Sequence, residues 1–93
     1  MIFKNVKINV QNAEYSELNY DLKDKISENI LAPINDGYNN FIDVEINCWL
    51  GDEYYQTDEM KKDLMKICDM TEKEFKKAVK NQDEVSFYVS YEV

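Results

Sequence analysis

The chain has 93 residues, a hydrophobic fraction of 44% and a formal net charge of −8, from 19 acidic against 11 basic residues. That length makes one domain, residues 1–93, able to bury roughly 60–65% of its unfolded surface, and the apolar fraction excludes a disordered composition. Every basic residue is lysine. With arginine and histidine absent, the chain lacks the usual tool for bidentate phosphate or guanine recognition and the usual proton shuttle near neutral pH.

In chain order, Ile2–Val10 reads as a first strand, because Val6, Ile8 and Val10 alternate with Asn5, Lys7 and Asn9. Phe3 breaks the alternation near its start. Asn12 or Ser16 then caps a helix. Leu18, Leu22, Ile26 and Ile30, extended by Tyr15 and Leu31, make its single apolar stripe. Pro33 stops that helix near Leu31, since a proline disfavours helical geometry in the residue before it. Asn35-Asp36-Gly37 is a turn signal, and the loop 32–40 crosses to the second strand.

The second strand, Ile42–Leu50, has the clearest pattern. Ile42, Val44, Ile46, Cys48 and Leu50 alternate with Asp43, Glu45, Asn47 and Trp49. Period two over nine residues means a half-buried strand, with one face on a core and the other open. Gly51-Asp52 either forms a hairpin turn, with Glu53–Gln56 returning as a short edge strand, or opens a loop. Thr57 caps the next helix, with Asp58 and Glu59 in its first turn where the dipole favours negative charge. Met60, Leu64, Ile67 and Cys68 make its buried face. Thr71 and Glu74 form a capping box, with Met70 and Phe75 placed as a hydrophobic staple. The helix it opens runs from Glu72 to about Lys80 and buries Phe75, Ala78 and Val79. In the last strand, Glu84–Val93, Val85, Phe87, Val89, Tyr91 and Val93 face one way. Ser86, Tyr88, Ser90 and Glu92 face the other.

The order β-α-β-(β)-α-α-β predicts an α+β two-layer sandwich. A mixed sheet of three to four strands carries helices on one face. The uncovered face then displays Asn5, Lys7, Asn9, Asp43, Glu45, Asn47, Trp49, Ser86, Tyr88, Ser90 and Glu92. Two glycines and one proline argue for long regular elements and few tight turns. Cys48 and Cys68 have neither metal-ligand nor disulfide-framework spacing and read as small buried hydrophobes in a reducing cytosol. No charged-then-apolar leader and no apolar run of about 18 residues is visible, which predicts a cytoplasmic protein without a membrane span.

No catalytic residues are expected. Asp43 and Glu45 lie about 7 Å apart along one strand face, but nothing supplies an activated nucleophile or a glycine-rich phosphate loop. No metal or cofactor is expected either. Asp36-Gly37-Tyr38-Asn39-Asn40 lacks calcium-loop spacing, and Asp52-Glu53 and Asp58-Glu59 suit only a weakly held cation. Residues 58–80 loosely resemble a helix-turn-helix, with Lys73, Lys76, Lys77 and Lys80 along one face. That resemblance lacks the glycine often found in such turns, and the overall charge repels phosphate. No direct nucleic-acid binding is expected.

Charge is unevenly placed. Seven acids and no lysine lie between Asp36 and Glu59, whereas seven lysines face four acids between Met60 and Lys80. Like charges clustered on one surface cost stability, and exposed aromatics among them resemble interface anchors in a charged rim. The expected partner-binding set is Asp43, Glu45, Trp49, Asp52, Glu53, Tyr54, Tyr55, Asp58, Glu59 and Tyr88. The expected partner is a basic surface of another protein, a nuclease or other nucleic-acid-binding protein among the candidates. In the sharper form the carboxylates mimic phosphates and displace counterions as DNA does. Small acidic phage-type inhibitors of host defence nucleases, the anti-CRISPR class included, are similar in size, charge and composition. The abundant asparagine, lysine, isoleucine and tyrosine have AT-rich codons and fit a low-GC bacterium or its phage. The alternatives are an oligomeric structural or accessory domain, such as a homodimer joined through the open sheet face, and a small-molecule sequestering protein.

Overall fold

The computed structural model describes residues 7–35 and 43–92. The expectations for 2–6, for the turn and loop at 36–42 and for Val93 lie outside the described residues. Among the described residues three strands, β1 (Lys7–Val10), β2 (Asp43–Trp49) and β3 (Glu84–Glu92), form a sheet in the order β1-β3-β2. Both described pairings are antiparallel, where a mixed sheet was expected. The last strand is therefore the central one, and its inner residues Phe87, Val89 and Tyr91 anchor the core.

The described residues place three helices over the inner face: α1 (Tyr20–Asn35), α2 (Asp58–Ile67) and α3 (Glu72–Lys80). Leu22, Ile26 and Ile30 from α1, Met60, Leu64 and Ile67 from α2, and Phe75 and Ala78 from α3 join Ile46, Cys48 and Phe87 in one buried cluster. These are the apolar stripes expected from the four-residue spacing. The result is an α+β two-layer sandwich.

Two helix ends differ from expectation. Neither Asn12 nor Ser16 caps α1. Asn12 sits in the left-handed region at φ 57° and donates its side-chain amide to the Ile67 carbonyl at 3.0 Å. Ser16 lies in a short 3-10 turn, Tyr15–Glu17. The cap is Asn19, whose Oδ1 accepts from the Leu22 amide at 3.0 Å. Leu18 is buried but precedes the helix. At the other end α1 runs through Pro33 to Asn35 rather than stopping near Leu31. Pro33 stands in the last turn, so it removes the bond to the Asn29 carbonyl only after the buried stripe has already committed the helix.

The remaining caps form as their sequences predict. Thr57 Oγ1 accepts from the Met60 amide at 3.2 Å. Thr71 and Glu74 exchange both capping-box bonds at 3.2 Å, with Phe75 buried and Met70 packed against the core.

Few glycines do not mean few tight turns. Both α2 and α3 end in Schellman motifs: Met70 N–H donates to the Met65 carbonyl and Asp69 N–H to Lys66, and Asp83 N–H donates to Ala78 and Gln82 N–H to Val79. The left-handed positions are held by Asp69 (φ 53°) and Gln82 (φ 56°) instead of glycine. A β-carbon in that region costs about 1 kcal/mol, so Asp69→Gly is expected to raise stability by roughly 0.5–1 kcal/mol in urea unfolding.

The segment after β2 is not a returning edge strand. Asp52 Oδ1 accepts from the Tyr54 amide at 3.0 Å and caps a second 3-10 turn, Glu53–Tyr55. That turn drives Tyr55 into the core, where it is 5% exposed. Burying an aromatic ring outweighs what a short edge pairing would contribute.

Candidate functional site

Register decides what stands together on the open face of the sheet. Across β2 and β3, Asp43 opposes Ser90, Glu45 opposes Tyr88, Asn47 opposes Ser86 and Trp49 opposes Glu84. Across β1 and β3, Lys7 opposes Glu92 and Asn9 opposes Ser90. Gln11 extends that edge, donating from its amide to the Tyr88 carbonyl at 3.0 Å and accepting from the Tyr88 amide at 3.2 Å. Apart from half-buried Ser90, every one of these side chains is exposed. Among the described residues this face therefore carries four carboxylates (Asp43, Glu45, Glu84, Glu92) and one ammonium, Lys7. Two large aromatics stand among them, Trp49 at 57% and Tyr88 at 59% exposure.

Trp49 lies close to Gly51 and Gln82. A β-carbon at Gly51 would stand 3.1 Å from the indole nitrogen and 3.1 Å from Gln82, so Gly51 leaves the room in which the ring rests. Gly51, Asp52 and Gln82 line a shallow depression beside it.

The expected site residues do not all converge. Asp43, Glu45, Trp49 and Tyr88 share the open face, and Asp52 borders Trp49. Tyr55 is buried, and its ring packs edge-on to Tyr54 with centroids 5.1 Å apart. It is a core residue and not a docking residue. Glu53 and Tyr54 lie on the 3-10 turn that leads into the helical layer. Asp58 and Glu59 serve the first turn of α2, where negative charge meets the helix dipole. Asp58 opens onto a groove between α2 and α3, and Glu59 stands near Glu17 and Lys62. The turn at Gly51 takes the chain off the sheet, and this separates 53–59 from 43–49.

Two groups were missed. Glu84 stands opposite Trp49, which only strand register reveals, and Glu92 was read as open-faced without being joined to the site. Asp21, Asp24 and Glu28 form an acidic ridge on α1 beside Tyr54, whose hydroxyl donates to the Asp21 carbonyl at 3.2 Å. Desolvation first, and then Asp21, Asp24 and Glu28, push the Tyr54 hydroxyl above its ordinary pKa of 10.0. The spacing of those acids, opposite Leu22, Ile26 and Ile30, was the available signal.

Among the described residues no three acidic, thiol or imidazole groups converge as metal ligands, and no helix is long and apolar enough to cross a membrane. Both cysteines are free thiols. Burial pushes the Cys68 thiol up to about 11 from the ordinary 9.0. Burial also raises Cys48, partly offset by Lys25 and Tyr55. Both are held neutral and unreactive at neutral pH. The stability that follows is present below pH 9.0 and is lost as pH rises from 9.0 toward about 11. The urea midpoint is expected to fall across that window. Native protein below it is expected to resist thiol-labelling reagents that modify the unfolded chain at both cysteines.

Comparison with protein-family models, with curated proteins and with solved structures returns no match for this chain.

Proposed function

We propose that this chain is a non-enzymatic interaction protein whose open sheet face docks on a basic surface of another protein. The observation that carries this is Trp49 and Tyr88, both more than half exposed, standing where the described residues of the face supply four carboxylates against one ammonium. No stability argument favours that arrangement, because clustered like charges oppose folding and exposed aromatic rings forgo burial. Both features become favourable against a lysine- or arginine-rich partner.

The sharper form is a nucleic-acid mimic. Asp43 and Glu45 are spaced by about 7 Å along the strand, comparable to successive phosphates of one nucleic-acid strand. Such a surface enters a groove built for DNA or RNA and displaces its counterions. Inhibition of a host defence nuclease, as by small phage-type inhibitors of the anti-CRISPR class, is the biological role this chemistry suits. The two free thiols fit work in a reducing cytoplasm.

The test uses one variant, Asp43→Asn with Glu45→Gln, Glu84→Gln and Glu92→Gln. Proteins of the native host are captured on wild type and variant at low and high salt, and bound species are challenged with duplex DNA. The expected partner binds wild type at low salt, leaves at high salt, is displaced by DNA and ignores the variant. Partner binding with unchanged affinity and salt dependence in the variant would sink the proposal. The same four changes are expected to raise the urea midpoint at low salt, with the gain shrinking as salt screens the repulsion.

A further inference from the structure

Gln11 reveals which way the central strand bonds. It donates to the Tyr88 carbonyl and accepts from the Tyr88 amide, so the backbone groups of Tyr88 are turned toward β1. In an antiparallel ladder, hydrogen-bonded and non-hydrogen-bonded pairs alternate. Glu45, opposite Tyr88, is therefore a non-bonded partner of β3, and so are Asp43, Asn47 and Trp49 at two-residue steps from it. The Leu50 amide, donating to the Asp83 carbonyl at 3.0 Å, keeps the same alternation at the far end. The amide groups of Asp43, Glu45, Asn47 and Trp49 consequently point out of the sheet along its edge. The Asp52 amide takes the Trp49 carbonyl at 3.0 Å, and among the described residues no other backbone group bonds to that row.

The two edges of the sheet differ. The described part of β1 is four residues long and carries Lys7, and the Ala13 amide occupies the Val10 carbonyl at 3.3 Å. The β2 edge is seven residues long, without proline, glycine or lysine. An edge of that kind is a template for an added strand, and its charge selects the occupant. Asp43 and Glu45 stand on the open face of β2, and Glu84 lies opposite Trp49. Lys7 is two strand spacings away, roughly 10 Å, and opposite Glu92. Where the chain leaves β2, Asp21, Asp24 and Glu28 of α1 stand near Tyr54 with a single lysine, Lys25. A second copy would bring two more carboxylates to the row and no base, and like charges across a ladder oppose pairing. A strand with lysine or arginine at alternate positions sets one cation beside Asp43, one beside Glu45 and one against the Trp49 ring. We propose that β2 takes up an extended basic segment of another protein as an added strand, with its lysines or arginines on the open face at every second residue. This rests on the open face being a docking surface for a basic partner, and it names the form in which the basic surface arrives.

The probe is a synthetic peptide of alternating lysine and valine, matched to the seven residues of β2 and titrated into the isotope-labelled full chain at low salt. The amides of Glu45, Asn47 and Trp49 are expected to shift in the NMR spectrum and, at saturation, to exchange at least about tenfold more slowly. A peptide of alternating glutamate and valine is expected not to bind. Asn47→Pro removes an outward N–H, breaks no bond of the existing sheet and keeps every charge. It is expected to weaken binding of the lysine peptide at least about tenfold, whereas Asn47→Ala binds as wild type does. If circular dichroism shows Asn47→Pro unfolded, the lysine peptide N-methylated at every backbone amide takes its place, and the same loss is expected. Binding that leaves the three amides unshifted, or that survives the proline or the methyl groups in full, is a charge contact without strand addition and overturns the proposal. So does a lysine peptide that fails to bind. So does concentration-dependent protection of the same amides in the chain alone, which assigns the edge to a second copy. A host partner that needs the four carboxylates yet binds Asn47→Pro as tightly as wild type overturns strand addition alone. Peptide pairing along β2 beside host-partner binding indifferent to those carboxylates overturns the docking reading alone.

Discussion

Replacing Phe87 with alanine is expected to cost about 3–5 kcal/mol, measured by urea unfolding, while Tyr88→Ala, one residue on, is expected to cost no more than about 1 kcal/mol. Phe87 is fully buried at the middle of the central strand, opposite Ile46. It meets the core cluster that all three helices share, so its removal leaves a cavity that several elements would have to close together. Tyr88 points the other way and is 59% exposed. A domain of this length has roughly 5–14 kcal/mol to lose, so Phe87→Ala approaches or reaches unfolding near ambient temperature. If the two substitutions cost the same, the sheet is not one-sided, and the open face proposed for docking does not exist.

Asp63→Ala is expected to cost about 2–4 kcal/mol, an effect out of proportion to a half-buried helix residue. Asp63 lies on α2, and its Oδ2 accepts from both the backbone amide and the side-chain amide of Asn19, at 2.7 and 2.6 Å. Hydrogen bonds to a charged group contribute about 1.5–3 kcal/mol each, and the two share one acceptor, so they are not additive. The bonds also fix the side chain that caps α1. Without Asp63, Asn19 has no reason to hold that rotamer, and the first turn of α1 frays. Hydrogen exchange at the amides of Leu22 and Lys23 should therefore speed up more than exchange at Phe87 or Val89. Asp63→Asn keeps an acceptor without the charge and should fall between the two. Uniform acceleration along the whole chain would show that Asp63 stabilises the fold generally and does not act through the cap.

Those two residues also mark what was legible in the chain. Phe87 belongs to an alternating strand, and Thr71 and Glu74 to a capping box. Both depend on neighbours within a few positions, so both could be read directly. Asn19 could not be chosen over Asn12 or Ser16, because its partner is 44 residues away on another helix. Tyr55 looked like an exposed aromatic in an acidic stretch, yet Asp52 turns the backbone at one place and the core takes the ring. Pro33 was read as a stop because the local cost of a proline was weighed without the burial of Leu22, Ile26 and Ile30 against the sheet.

Sidedness came from the sequence alone. Period two at Asp43–Trp49 and Glu84–Glu92 commits each strand to one wet and one dry face, because successive side chains must point in opposite directions. Which wet residues become neighbours was decided only by the tertiary structure. Pairing β3 between β1 and β2 sets Glu84 beside Trp49 and Tyr88 beside Glu45, while the turn at Gly51 removes Glu53, Asp58 and Glu59 to the helical layer. The physical reason is range: side-chain alternation is local, but register and turn direction answer to the packing of the whole core.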